Sequence, residues 1–414
     1  MGLAAISERL GYKTKIIDAP IENIKIVQLK KILNYWKPEW VIANISLETL
    51  NSDLYSLKIA KDYGAKTVIF GYASTIQDLQ IMKEASFIDF AIRREPELTF
   101  QELLEDILPL EEIEGLTFRK KNSIQRNRDR PFIQNLDILP FPSHHLIKNE
   151  LYRVPITGEK FTTIQVSRGC PYKCTFCLSH LLNGFTLRKR SVINIIEEIK
   201  LVINNLQIHN FFFRADTFTA DKQWVIQLCR EIIKNKLKIT WFCNSRVDTI
   251  DEEMLNLMKR AGCQLITFGI ESGDNYILQH IRKGITKNQV KKAIDLTRHF
   301  KIFTGTFFII GLPGDTINSI HNTIKFSKEI NSDGVEFIPF VPFLGTQAIN
   351  QYDNKIDPQY IRKLIRYAYF QFYFRPKIIL REINNFFSVK THGIRQILNL
   401  TIAALKTFGR LLQK

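Results

Sequence analysis

The chain is expected to be an α/β protein. It should combine an N-terminal doubly wound, Rossmann-like domain, a partial (β/α)6 barrel of TIM type and a helical C-terminal tail. Two observations predict this. Helix and strand patterns alternate in residues 1–110 with a repeat of roughly 30 residues, the mark of a parallel sheet flanked by helices. From residue 162 the alternation resumes with six strand patterns, too few to close an eight-fold barrel but enough for an open one. The expected boundaries are 1–110 for the first domain, 111–160 for a linker, 161–346 for the partial barrel and 347–414 for the basic helical region.

In the first domain LAAISERLGY reads as a helix stopped at Gly11, KTKIIDA as a strand and IVQLKKILNYW as a helix. WVIANISL reads as a buried strand, LYSLKIAKDYG as a helix with a glycine stop and KTVIFG as another strand. The segment opens on a helix where a doubly wound domain opens on a strand, so a first strand is expected to be missing. Residues 119–130, RKKNSIQRNRDR, read as a linker or exposed hairpin, and LDILPFPSHHL (136–146) as an extended connector with His144 and His145 on the surface.

In the barrel the strands read at 162–167, 209–215, 238–245, 263–270, 302–310 and 333–339. Helices fall between them at 191–206, 221–235, 251–261, 286–300 and 315–330, with Thr249 and Glu252 as a capping box for the third. Residues 358–414 are helical in pattern, aromatic and basic.

Net charge is +17, and residues 361–414 hold eleven Lys/Arg against the single acid Glu382. The excess is therefore a property of the tail. IRQILNLTIAALKTFGRLLQK could lie on an anionic membrane surface or pack on its own protein. No apolar run is long enough to span a bilayer, and Glu8 and Arg9 come too early for a secretory signal. Nucleic acid is not expected as a partner, because no recognition motif accompanies the charge.

Six cysteines in 414 residues make no disulfide scaffold. Three of them, Cys170, Cys174 and Cys177, fall within eight residues in SRGCPYKCTFC, directly after the strand pattern TTIQVS. Such clustering points to a metal centre in a reducing, cytoplasmic setting. Three thiolates on one loop can each take one iron of a cubane and leave the fourth iron open to a ligand. Arg168 and Lys173 stand ready to stabilise thiolates. A zinc site completed by His180 is the alternative. Cys229 and Cys243 read as core residues.

The C-x-x-x-C-x-x-C spacing in this position resembles the radical S-adenosylmethionine (SAM) superfamily. The resemblance implies a 4Fe–4S cluster on Cys170, Cys174 and Cys177, with the methionyl amine and carboxylate of SAM on the open iron. Reductive cleavage then gives a 5′-deoxyadenosyl radical for hydrogen abstraction. It also implies that Phe176 packs near the adenine. Further stretches are similar to the subgroup with an N-terminal cobalamin-binding domain: SRVDTIDEEMLNLMKRAGC (245–263), FGIESGD (268–274), IRKGIT (281–286), FFIIGLPGD (307–315) and FIPFVPFLGT (337–346). DFAIRREPELTFQELLE (89–105) is similar to the cobalamin domain itself, and FYFRPKIILR (372–381) to a tail of cyclase and lipid-methylase members. The implied activity is methyl transfer or oxidative cyclisation on a lipid, tetrapyrrole or secondary metabolite, with an electron donor of flavodoxin or ferredoxin type.

Five more residues are candidates for holding SAM. Asp216 matches an acid that accepts the cofactor's amino group, or else heads a helix. Arg246 is suited to the methionyl carboxylate, or to a surface ion pair with Asp248. Glu271 and Ser272 could meet ribose or carboxylate oxygens. Gly311 permits close backbone approach to a ligand, or a tight turn. Cobalamin is left open: residues 1–110 contain no histidine, the Asp-x-His-x-x-Gly pattern is absent, and the loop after KTVIFG reads Gly71-Tyr72-Ala73-Ser74-Thr75. A vestigial or docking domain is the other reading of this segment. Methylthio transfer to RNA is disfavoured, since that subgroup carries three more N-terminal cysteines and none precedes Cys170. A degenerate, non-catalytic iron–sulfur scaffold is the remaining alternative.

Overall fold

The computed structural model describes residues 1–378 except 122, 155–156, 354–355 and 377. The chain divides into two compact units. The first comprises Met1–Leu151, Arg168–Cys170 and Leu178–Arg190, and the second Tyr152–Ser167, Pro171–Cys177 and the residues from Ser191 onward.

The first unit is a five-stranded mixed sheet in the order β1-β2-β3-β4-β5. Its elements are α1 (Gly2–Arg9), α2 (Ala19–Glu22), α3 (Ile26–Trp36), β1 (Trp40–Asn44), α4 (Leu50–Asp62), β2 (Lys66–Phe70), α5 (Tyr72–Glu84), β3 (Phe90–Ile92), α6 (Glu97–Glu105), β4 (Leu116–Lys120) and β5 (Ser123–Arg126). β1, β2 and β3 run parallel, with Trp40 opposite Lys66 and Val68 opposite Phe90. Side-chain alternation divides the core in two. Val68 and Ile92 join Ile6, Phe100 and Leu103 on the face covered by α1 and α6. Ile69 and Ala91 join Leu57, Ile81 and Met82 on the face covered by α4 and α5.

Three expectations for this unit change. KTKIIDA is not a strand: among the described residues no strand lies beyond β1 to pair with it, and Lys13 and Lys15 instead reach over the Trp36 ring, at 5.0 and 5.6 Å from its centroid. WVIANISL forms β1, which is half-exposed rather than buried because it is an edge. The basic stretch 119–130 takes the hairpin alternative rather than the linker. It contributes to the hairpin β4–β5, which adds to the sheet antiparallel through Phe90 opposite Phe118 and Thr117 opposite Arg126. In the connector His144 is buried and only His145, paired with Glu8 at 2.9 Å, is exposed.

β7 (Ser167–Arg168) and β8 (Arg188–Lys189) form a short two-stranded ladder, with α7 (Ser179–Asn183) between them in sequence.

The second unit holds a six-stranded, all-parallel sheet: β6 (Phe161–Gln165), β9 (Asn210–Arg214), β10 (Thr240–Ser245), β11 (Cys263–Glu271), β12 (Phe303–Ile310) and β13 (Gly334–Pro339). Each strand pairs with the next in sequence, the order of a β/α barrel that stops at six. The helices are α8 (Val192–Leu206), α9 (Lys222–Lys234), α10 (Glu252–Arg260), α11 (Asn275–His280), α12 (Lys287–His299), α13 (Ile317–Glu329) and α14 (Pro358–Tyr373). Aromatic and β-branched residues such as Phe211, Phe213, Trp241, Ile266, Phe268 and Phe308 fill the core, which also takes up Cys229 and Cys243. The cap of α10 is Asp251, whose carboxylate accepts from Met254 N at 3.0 Å; Thr249 instead donates to Arg246 O.

An open barrel leaves an unpaired strand edge, and α14 satisfies part of it. Tyr369 Oη accepts from Phe337 N at 3.1 Å and donates to Phe337 O at 3.3 Å. One turn later Tyr373 Oη accepts from Val335 N at 3.2 Å and donates to Val335 O at 3.1 Å. The two phenols thus stand in for a neighbouring strand along β13. Burial pushes the Tyr369 phenol up to about 12. The amphipathic tail and most of FYFRPKIILR lie outside the described residues.

Candidate active site

In the second unit the sequence-predicted residues gather at the carboxyl ends of the parallel strands, where β/α barrels carry their chemistry. The loop Pro171–Cys177 is fixed through its backbone. Thr175 N donates to Ile281 O at 3.0 Å, Thr175 O accepts from Ala348 N at 3.0 Å, and Cys177 N closes a turn on Cys174 O at 3.3 Å. Phe176 packs against the apolar group of Ile277, Ile281, Ile309, Leu312, Phe340 and Ala348. Cys174 is buried and Cys177 is half-buried.

Arg246 follows β10 directly and is 4% exposed, so its pairing with Asp248 is not a surface one. Nε and Nη2 each reach the Asp248 carboxylate at 2.9 Å, Nη2 also donates to Lys283 O at 2.8 Å, and Nη1 lies 3.9 Å from Cys174 Sγ. Its guanidinium carbon sits 3.6 Å from the centroid of the Tyr172 ring. Burial works against this charge, but the Asp248 carboxylate outweighs it and holds the guanidinium above its ordinary value.

Glu271 ends β11 in a left-handed conformation, φ +73°, which a non-glycine residue adopts only where its surroundings enforce it. Its Oε1 meets Lys283 Nζ at 2.7 Å, and both side chains are almost fully buried. The space beside Gly269 is taken by this pair: a Cβ there would come within 2.5 Å of Glu271 Oε1 and 3.0 Å of Lys283 Nζ. Lys283 was reachable from sequence only as part of IRKGIT, because nothing local links it to a glutamate twelve residues earlier.

Ser272 is engaged structurally. Its hydroxyl bonds Thr323 Oγ1 at 3.0 Å and accepts from Asp274 N at 3.1 Å. Gly311 makes a tight turn: φ is +87°, its N–H donates to Asp315 Oδ2 at 2.9 Å, and a Cβ would stand 2.7 Å from Ile361 Cδ1. Burial raises the Asp315 carboxyl to about 6, although the Ser319 hydroxyl and the Gly311 and Leu312 amides pull it back. Asp216 lies just beyond β9, half-buried.

Cys170 belongs to the first unit, where its N–H donates to Gly184 O at 3.2 Å. Arg168, expected to support thiolates, is committed elsewhere. It forks onto Glu97 at 2.6 and 3.1 Å and meets Glu95 Oε1 at 3.2 Å, while Glu95 also holds Arg188 at 2.8 Å. These carboxylates more than offset burial and hold the Arg168 guanidinium above its ordinary value. His180 stacks on Phe185, with ring centroids 5.1 Å apart.

The residues present fit an iron–sulfur cubane. Three thiols lie on one eight-residue segment, and the Thr175 hydroxyl is buried without a hydrogen-bond partner. An orphaned hydroxyl inside such a loop suits a sulfur acceptor.

Comparison with known proteins agrees with this chemistry. The radical SAM superfamily model matches residues 164–327. An uncharacterised methyltransferase of Pyrococcus horikoshii is 33% identical over 92% of this chain and 89% of its own length. The anaerobic magnesium-protoporphyrin IX monomethyl ester cyclase of Rubrivivax gelatinosus is 25% identical, over 86% of this chain and 66% of its own. The radical SAM methyltransferase TsrM from Kitasatospora setae, solved with tryptophan and a SAM analogue, has a TM-score of 0.70 at 16% identity, over 81% of this chain and 69% of its own. That likeness establishes the fold; a second TsrM structure, at TM-score 0.67, carries cobalamin and a [4Fe-4S] cluster. With a relative of this identity and coverage, the chain belongs to the radical SAM superfamily of enzymes, whose cofactors are a 4Fe–4S cluster and S-adenosylmethionine.

Proposed function

We propose that Cys170, Cys174 and Cys177 hold the 4Fe–4S cluster and that the enzyme transfers a methyl group to a small organic substrate: a tetrapyrrole, a lipid or a secondary metabolite. The observation that carries this reading is the loop Pro171–Cys177, pinned on both sides by backbone bonds and bearing two thiols beside a buried guanidinium. When bound, the cluster supplies one electron to the sulfonium of SAM, the chemistry that releases a 5′-deoxyadenosyl radical in this superfamily. Around it the chain's own residues bind and orient. Phe176 offers an apolar wall for the adenine, Asp216 an acceptor for the amino group, and Glu271, held by Lys283, an acceptor for ribose hydroxyls. Ser272 and Gly311 shape the strand ends rather than touch the cofactor.

Methyl transfer is favoured by the relative that matches most of both chains, which is named a methyltransferase. Oxidative cyclisation is the second reading, favoured by the cyclase match. Cobalamin is supported by the likeness in fold to the cobalamin-bound TsrM structure. Residues 1–110 supply no imidazole, so no axial histidine comes from this segment. No step is derived through that group. A flavodoxin- or ferredoxin-type protein is the expected electron donor. No helix among the described residues is long and apolar enough to cross a membrane, and peripheral contact through the basic tail is a separate proposal, read out by vesicle sedimentation.

The test is anaerobic turnover of the full chain with reductant and methyl-labelled SAM, alongside equilibrium binding of cobalamin followed by absorbance. Methyl transfer predicts S-adenosylhomocysteine and label in the substrate. 5′-Deoxyadenosine alone supports cyclisation. Intact SAM after reduction of an assembled cluster defeats both readings.

A further inference from the structure

Arg246 has its donors committed in a way that bears on its role. Its fork is closed on Asp248, with both contacts at 2.9 Å, and the same Nη2 holds the main chain at Lys283 O. Tyr172 covers one face of the guanidinium. The nitrogen left over, Nη1, faces Cys174 Sγ at 3.9 Å. To meet a carboxylate with its fork, the side chain would have to leave a bidentate pair inside a site where it is 4% exposed. The lock therefore aims the charge at the thiol.

We propose that Arg246 is a positioning residue for the cluster, acting through Cys174 to set its reduction potential rather than binding the carboxylate of SAM. The inference rests on the reading that Cys174 ligates iron. Reduction adds one electron from the external donor to the cubane and forms or breaks no covalent bond. The net negative charge at the site grows by one, so a fixed cation against a ligand sulfur stabilises the reduced form and raises the midpoint potential. Asp248 offsets part of that cation, so removing its charge acts in the opposite direction. Lys283 serves both ends: its carbonyl anchors Arg246 and its ammonium holds Glu271, so IRKGIT ties the cluster side of the site to the end of β11.

The experiment is an EPR-monitored redox titration of the reconstituted full chain without SAM, with SAM affinity measured separately on the oxidised protein. Arg246→Met is expected to lower the midpoint so that the reduced-to-oxidised ratio at fixed poise falls about tenfold, about 59 mV for a one-electron couple. Arg246→Lys recovers part of this shift, Asp248→Asn moves the midpoint upward, and SAM affinity stays unchanged in all three. An Arg246→Met protein with wild-type midpoint and EPR signal but weakened SAM binding overturns the inference. If that variant assembles no cluster, Asp248→Asn decides, and a midpoint that falls or stays put overturns it. A wild-type chain that assembles no cubane overturns the underlying assignment and this inference with it; a cubane whose midpoint ignores these charges overturns the inference alone.

Discussion

Both units bury arginines beside parallel strands, yet they use them differently. In the first unit Arg93, 1% exposed, has its donors matched: Nε to Asp129 at 2.8 Å, Nη1 to Thr117 at 2.5 Å and Asp78 at 3.5 Å, and Nη2 to Asn127 O at 2.6 Å. In the second unit Arg246 ends on a thiol, and next to that thiol Thr175 carries a hydroxyl with no partner. Buried charge alone does not mark a site. Unspent hydrogen-bonding capacity beside a reactive group does, because folding tolerates such a group only where something else is to be bound.

The largest expected effect tests the structural half of this contrast. Arg93→Met removes the buried cation that Asp78 and Asp129 share, leaving them only the part-exposed Arg126 and Arg94, and should destabilise the chain by about 3 kcal/mol in denaturant titration while leaving iron content per folded molecule unchanged. A smaller loss is expected at the barrel edge. Tyr369→Phe leaves Phe337 N–H and C=O unpaired and should cost about 1–3 kcal/mol, with Tyr373→Phe behaving alike at Val335. If neither substitution moves the denaturant midpoint, α14 does not serve the edge as described.

Asp315 gives a pH signature. Its carboxyl, raised to about 6 in the folded chain from an ordinary value near 3.8, binds more protons folded than unfolded between those values. Stability from this group is therefore present at low pH and falls as pH rises through about 6. Apoprotein should lose on the order of 2–3 kcal/mol from this site between pH 4 and 7, and Asp315→Asn should remove that slope in a pH series of denaturant midpoints. The smallest effect sharpens the contrast most. Thr175→Val deletes an unpartnered hydroxyl, so apoprotein should be unchanged or more stable by up to about 1 kcal/mol. Chelator should strip iron from the loaded variant faster than from wild type, if the hydroxyl donates to a cluster sulfur. Equal rates in the two proteins contradict that donation.

The six barrel strands and five of the six second-unit helices between them were legible to within a residue or two, because each is an apolar run or a 3.6-residue period bounded by its own caps; the six-residue α11 was too short to show a period. The cysteine spacing was legible because it is local. What failed depended on distant neighbours. KTKIIDA has strand composition but no edge to join, and WVIANISL reads as buried yet forms the half-exposed edge strand β1. His144 reads as a surface residue of an extended connector and is nevertheless buried. Arg168 resembles a thiolate helper until Glu95 and Glu97 are seen to claim it. Lys283, Tyr172 and the orphan Thr175 hydroxyl become visible only when the strand ends are assembled.

The central claim is that three thiols hold a cubane with one iron left for SAM. Iron and sulfide should be counted on anaerobically reconstituted wild type and on Cys170→Ala, Cys174→Ala and Cys177→Ala, with SAM cleavage measured on each. The account predicts about four irons and four sulfides per wild-type chain, and cleavage reduced to background in every variant. Wild-type protein that takes up zinc in place of iron and sulfide, or a Cys174→Ala variant that still cleaves SAM, would contradict it.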